Sequence, residues 1–518
     1  MATKQIEWLA RLGRVVSRLS AFPPLSPPFP TAQSRASDGG PAPNTASFSS
    51  SILGRRNAVL AVAAIGATVS LAAWIATGNS VDDSLSPLPL PLSASASSAS
   101  LTVGNFVLRR TLVPPHPDFP VSTAHHNRDG SFHNPWPSFA PSKTSFVSTF
   151  AKFILLGSNN PALPHPKDRL RVRPLNKDRI NAIRAQAFPI MPSKNDQSSV
   201  RVTPDDAQDA MRLDWLGHAA MLLTVPGATV LFDPCLSDRC SPINWAGPRR
   251  IVPTPLERGL DDLPDVDVVV VSHNHYDHLD VDVMKKIATH KPEVLFFVPL
   301  GNKRLLLDAG IRNVVECDWW DSFTLTRNTI TDSASNDHHH HHKHDLHNHP
   351  VPDITVQITC TPAQHFSSRH LLDKNATLWS SWHLRTRTKS FFFGGDTGYR
   401  TVPDDATDAA DALDPKLPTC PSFREVRARL GPVDLAALPI GAYAPRALLS
   451  NVHCSPRDAV DVHLDLGAAR SVAMHFGTFV LSREEVSEPV RLLREAMRAR
   501  GVEESVFLVV DVGQGVEV

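Results

Sequence analysis

Hydrophobic and polar positions keep three different rhythms along this 518-residue chain. In "WLGHAAMLLTVPGATVLFDPCLSD" apolar runs alternate with small or polar residues. Gly217 and Gly227 stand where turns are needed, which predicts an opening set of strands. "DVDVVVVSH" is unbroken instead: the run Val268 to Val271 predicts a short strand buried on both faces. "VQITC", "KSFFF" and "SVAM" read as further strands. The third rhythm is helical and N-terminal. Leu9, Leu12, Val16 and Leu19 share one face, and Arg11, Arg14 and Arg18 another. Ala58 to Ala76 then carry no charge over 19 residues, close to the ~20 that a helix needs to cross a bilayer.

These patterns divide the chain. The Arg-rich, acid-poor start followed by Ser and Pro predicts a mitochondrial presequence within residues 1–56. A single transmembrane helix is expected at 57–78. A Pro/Ser-rich linker, 79–130, follows and lacks the composition to build a core. Arg55 and Arg56 would stay on the matrix side. The expected location is therefore the inner mitochondrial membrane, single-pass, with the folded domain (131–518) in the intermembrane space. A His-rich insertion at 332–350, including "DHHHHHKHDLHNHP", interrupts that domain; its histidines have no fixed geometry and are left out of the site. "SFVSTFAKFILLG" (145–157) reads equally well as a membrane contact and as a helix packed on the domain.

Composition narrows the partners. Lys+Arg and Asp+Glu are 52 each, so the net charge is zero and no basic stripe invites nucleic acid. The six cysteines show no CxxC spacing, and free thiols are expected rather than a disulfide framework.

Candidate chemistry concentrates at strand ends. "SHNHYDHLD" packs three histidines and two aspartates directly after the valine run. Burying such groups without a metal would be costly. His273 and His275 are two apart on extended chain, so they point the same way and suit one ion; Asp277 and His278 lie past a bend and suit a second. His365 in "TPAQHF", Asp396 in "FFFGGDTG" and His475 in "MHFGTF" supply further ligands, again at the ends of strand-like segments. Imidazole and carboxylate donors at this density favour zinc, with iron or manganese also compatible.

In order, these ligands resemble the metallo-β-lactamase superfamily. The motifs "FHNPWPSF", "SHNHYDHLD", "DWWDSF", "TPAQHFSSR", "FFFGGDTGY" and "GAYAPR" resemble more closely the N-acylphosphatidylethanolamine-hydrolysing phospholipase D family within it. The resemblance runs from about Phe132 to the C-terminus, apart from the His tract. It implies an α/β fold, an αββα sandwich, with two Zn2+ at the sheet edge. His273, His275 and His365 would hold one ion and Asp277, His278 and His475 the other, with Asp396 between them. Asp233 and His218 would support these ligands, and His453 and Tyr443 would contact substrate. Asp277, Asp396 and His453 would be the catalytic set. Where the family carries Gln and an acidic residue around that histidine, this chain has Val452 and Ser455. The implied reaction is hydrolysis of N-acylphosphatidylethanolamine to phosphatidate and an N-acylethanolamine, by a hydroxide held between the ions. The implied partners are the phospholipid and its membrane, with a homodimer possible in this family. Two alternatives stay open: another hydrolase on the same scaffold, such as a sugar-phosphate lactonase or other phosphodiesterase, and a catalytically silent tethered scaffold.

Overall fold

In the computed structural model, described residues comprise 100–103, 106–119, 124–140, 169–186, 210–243, 245–327, 355–370, 372–403 and 417–518. The presequence, the 57–78 segment, the 145–157 segment and the His-rich insertion lie outside them. Among the described residues no helix is long and apolar enough to cross a membrane.

Strands account for most of the ordered core. In chain order they are β1 (Ser100–Val103), β2 (Phe106–Leu112), β3 (Arg212–Gly217), β4 (Ala220–Val225), β5 (Ala228–Phe232), β6 (Val268–Val270), β7 (Leu295–Pro299) and β8 (Val314–Cys317). Then follow β9 (Asp321–Arg327), β10 (Thr355–Thr361), β11 (Ser381–Arg385), β12 (Ser390–Phe393), β13 (Leu435–Pro439), β14 (Arg470–Met474), β15 (Phe507–Leu508) and β16 (Gly515–Glu517). They form two sheets. One runs β16-β3-β4-β5-β6-β7-β8 and the other β1-β2-β9-β10-β11-β12-β13-β14-β15. Each is mixed: β5 to β8 and β12 to β15 pair in parallel, while the outer hairpins are antiparallel.

The valine run shows why the layers form. Val268 and Val270 enter the core between the sheets, and Val269 and Val271 enter a second core on the other face. Alternate residues of a strand point to opposite faces, so an uninterrupted apolar run needs cover on both. The helices Val281–His290 and Lys177–Arg184 contribute Met284, Ile287 and Ile180 to that second core. On the far side of the other sheet, helices Ser422–Leu430, Pro456–Leu466 and Glu488–Arg500 contribute Phe423, Val460 and Leu493. The result is the expected helix–sheet–sheet–helix layering. Between the sheets, Phe232 lies 4.8 Å from Phe393 and 5.3 Å from Phe391, ring centre to ring centre. All six cysteines are buried and unpaired.

The expected linker is corrected at its C-terminal end. β1 and β2 fall inside 79–130, and β2 pairs with β9 along its whole length, from Phe106↔Arg327 to Leu112↔Asp321. Phe106 and Leu108 are buried in the main core. The Ser-rich sequence before these strands and the prolines after them hide β2, whose sequence FVLRRTL shows no apolar–polar alternation.

Leu108 is 1% exposed. Leu108→Ala should therefore cost about 2–5 kcal/mol of stability, read from urea unfolding; a linker leucine would cost nothing.

Candidate metal centre

Every ligand candidate sits at one edge, where strands of both sheets end. β6 delivers the 273–278 loop. β10, β12 and β14 deliver His365, Asp396 and His475 from the facing sheet. His218 occupies the turn between β3 and β4, and Asp233 follows β5 directly. His218, Asp233 and His475 take left-handed backbone conformations, with φ of 55°, 40° and 64°. Such conformations cost of order 1–3 kcal/mol each and persist where surrounding contacts impose them. Here His475 N donates to His218 O (3.0 Å), and His218 N donates to Thr478 Oγ1 (2.7 Å).

The side chains form two sets. His273, His275, His365 and Asp396 make one, and His218, Asp277, His278 and His475 the other; within each, one ligand atom per residue lies within 4.8 Å of all the others. In the first, His273 Nε2 is 2.8 Å from His275 Nδ1, which is 3.3 Å from His365 Nε2. In the second, the Nε2 atoms of His278 and His475 face each other at 3.2 Å, each 3.5 Å from Asp277 Oδ2. Asp396 reaches both: its carboxylate is 2.9 Å from His475, 3.1 Å from His278, 3.7 Å from His365 and 3.9 Å from His273. Its carboxylate therefore stands between the two sets. The approach depends on Gly395, whose φ is +57°; a Cβ there would stand 2.6 Å from the Ser272 side chain.

Outer hydrogen bonds fix which ring nitrogen faces inward. His278 Nδ1 lies 2.6 Å from Asp233 Oδ2, and His365 Nδ1 lies 2.8 Å from the Val452 carbonyl. An acceptor at Nδ1 keeps the proton there and leaves a lone pair on the inward Nε2. Buried lone pairs then face one another and two carboxylates, an arrangement that needs a cation at its centre. The donor set therefore fits divalent metal. Without a cation a proton substitutes. Burial opposes charge on His278, yet Asp396, Asp277 and Asp233 together raise its pKa well above the ordinary value. His273 shifts the other way, chiefly through burial and then through its charged neighbour His278.

The remaining expectations divide. Asp233 supports His278 as expected, and also accepts from Ser272 N (2.7 Å) and Ser272 Oγ (2.6 Å). His218 comes closer than a supporting role requires, with Nε2 3.0 Å from Asp277 Oδ2. His453 is half-buried beside Asp396; its Nδ1 lies 3.8 Å from Oδ2 and has no hydrogen-bond partner among the described residues. Tyr443 is a correction. It is 2% exposed and its hydroxyl donates to Glu488 Oε1 at 2.5 Å, because a buried phenol takes the nearest strong acceptor. Its polar end is committed to the helix Glu488–Arg500, not to the centre. Ser272, whose Oγ links Asp233 to His273 Nδ1 (2.8 Å), was not singled out from the sequence, although it directly precedes the ligand run. Asn134, in "FHNPWPSF", donates to His365 O at 2.8 Å and is a long-range contact that the pattern does not signal.

Comparison with known proteins gives the following. Residues 228–476 match the Beta-lactamase superfamily domain. A Caenorhabditis elegans protein, N-acyl-phosphatidylethanolamine-hydrolyzing phospholipase D 1, is 35% identical over 322 residues, covering 60% of this chain and 78% of that protein. The Saccharomyces cerevisiae protein N-acyl-phosphatidylethanolamine-hydrolyzing phospholipase D, mitochondrial, is 32% identical over 277 residues, covering 53% of this chain and 49% of that protein. Among solved structures, isothiocyanate hydrolase from Delia radicum gut bacteria aligns with 59% of this chain and 98% of its own, at 19% identity and a TM-score of 0.41.

Removing the carboxylate that orients His278 should loosen the centre without deleting a ligand. Asp233→Ala is expected to weaken metal binding about 10- to 100-fold, measured by competition with a chromogenic chelator.

Proposed function

Because this chain belongs to the N-acylphosphatidylethanolamine-hydrolysing phospholipase D family of the metallo-β-lactamase superfamily, we propose that it hydrolyses N-acylphosphatidylethanolamine to phosphatidate and an N-acylethanolamine. The observation that carries this is the shared carboxylate. Asp396 lies within 3.9 Å of inward ring nitrogens from both ligand sets, so the edge suits a pair of ions rather than one. The donors favour two Zn2+: His273, His275 and His365 would hold one and Asp277, His278 and His475 the other, and Asp396 would serve both. When bound, such a pair supplies Lewis acidity: it offsets the phosphodiester's charge and makes water more acidic.

The chain's own residues do the rest. Asp233 and the Val452 carbonyl hold His278 and His365 in the tautomers that present lone pairs inward. His218 braces Asp277. His453 is kept neutral at physiological pH, since burial pushes its pKa down to about 3. A neutral ring beside Asp396 can offer its bare nitrogen to a substrate hydrogen-bond donor. All six thiols are buried, and burial pushes the thiol of Cys235, the one nearest the ligand loop, up and away from thiolate chemistry.

A membrane substrate gives the N-terminal segments a purpose. The yeast relative carries "mitochondrial" in its name; with the presequence-like start and the apolar segment at 57–78, that supports placing this chain at the inner mitochondrial membrane. Tethering would raise the local concentration of substrate before the domain.

The experiment is hydrolysis of N-acylphosphatidylethanolamine in mixed micelles, with metal content measured on the same sample. Phosphatidate and N-acylethanolamine should appear with about two metals bound per chain, and Asp396→Asn should abolish turnover. Bound metal without either product would reject this substrate and turn attention to other phosphodiesters.

A further inference from the structure

His453 has no side-chain hydrogen bond among the described residues to aim it. Its ring must therefore be placed by its backbone. Within its own turn His453 N donates to Leu449 O (2.7 Å) and Arg446 Nη1 donates to His453 O (3.0 Å), and from the facing strand ends that backbone is gripped at three further, nearly successive points. The carbonyl of Asn451 accepts from Gln364 Nε2 at 2.9 Å. The carbonyl of Val452 accepts from His365 Nδ1 at 2.8 Å. Cys454 N donates to Thr397 O at 2.7 Å. The three gripping residues are ligand candidates or sit directly beside one: Gln364 precedes His365, and Thr397 follows Asp396.

Two of these grips come with the site itself, one from a ligand's outer nitrogen and one from main chain. Gln364 is the side chain that reaches this segment from beside a ligand candidate, while Arg446 holds it from its own turn. It is fully buried, so its amide groups need partners inside the protein, and each finds one. Nε2 takes Asn451 O, while Oε1 accepts from Ser138 Oγ at 2.5 Å. Its main chain is fixed too: Gln364 N donates to Thr397 Oγ1 (3.0 Å), and Gly398 N donates to Gln364 O (2.7 Å). The amide can neither rotate nor slide without breaking a buried hydrogen bond. Gly398 also lets the two loops close, since a Cβ there would stand 2.4 Å from Asn451 O.

We infer that Gln364 is a positioning residue for His453, holding that imidazole at its distance from the bridging carboxylate. The inference rests on the proposed role of His453 in turnover. Its chemistry is asymmetric: the grip on Asn451 needs a donor, whereas the contact with Ser138 needs only an acceptor. Gln364→Glu keeps the shape and the acceptor but loses the donor.

The test is a double-mutant cycle in the full chain, with micellar N-acylphosphatidylethanolamine as substrate and metal content measured for every variant. Gln364→Leu and Gln364→Glu should each lower kcat about 10- to 100-fold, the scale set by displacing a catalytic group by ~1 Å. KM should stay within about twofold and metal content unchanged. Ser138→Ala, which leaves the grip on Asn451 intact, should keep kcat within about threefold of wild type. In a His453→Ala background, Gln364→Glu should produce no further loss, because the residue it positions is gone. The isosteric Glu variant decides the matter if the Leu variant fails to fold. Equal losses with and without His453, or loss of metal in the Gln364 variants, would overturn the inference and leave Gln364 a structural residue. An unaffected His453→Ala would remove the role of His453 and the inference with it, while leaving the phospholipase reading to stand on the products.

Discussion

The candidate metal centre depends on two sheets pressed together. One supplies the 273–278 loop, His218 and Asp233; the other supplies His365, Asp396, His453 and His475. Neither set is complete alone. Their alignment depends on the apolar interface where Phe232 meets Phe391 and Phe393. Two hydrogen bonds reinforce it at the strand ends: Trp382 Nε1 donates to Val271 O, and Ser380 N donates to Ser272 O, both at 2.9 Å. Close-packed interiors transmit small displacements, so the separation of the ligand sets is set by aromatic volume well away from them.

Within that frame, direction matters as much as distance. An imidazole offers a lone pair or a proton at a given nitrogen depending on what its other nitrogen meets. Asp233 and the Val452 carbonyl make that choice for His278 and His365. The same carboxylate holds Ser272, which in turn contacts His273. One buried acid thus sets orientations on both sides of the centre.

The metal ligands were legible in the sequence because each closes a strand that reads clearly, and because HxHxDH at the end of a valine run admits few other uses. The layering followed from the same runs. What escaped notice did so for physical reasons. β1 and β2 lie between Ser-rich and Pro-rich stretches; β2 is held by pairing with β9, more than two hundred residues away in the chain, and β1 by pairing with β2. Ser272 looks like any serine until Asp233 arrives from another strand. The roles of Asn134 and Gln364 come entirely from tertiary contact. Tyr443 was assigned to substrate from its motif, but the partner that claims it, Glu488, comes from a helix its own segment does not announce.

The last strand has a consequence for how this protein is made. β16 pairs with β3 through Val516↔Leu213 and its neighbours, so the first strand of its sheet is covered by nearly the last residues of the chain. A ribosome delivers the 273–278 loop long before His475, and His475 before β16. During that interval the nascent polypeptide displays unpaired imidazoles and an open sheet edge, a state that binds metal loosely and invites aggregation. A chain without β16 would keep every ligand candidate and leave the outer edge of β3 uncovered.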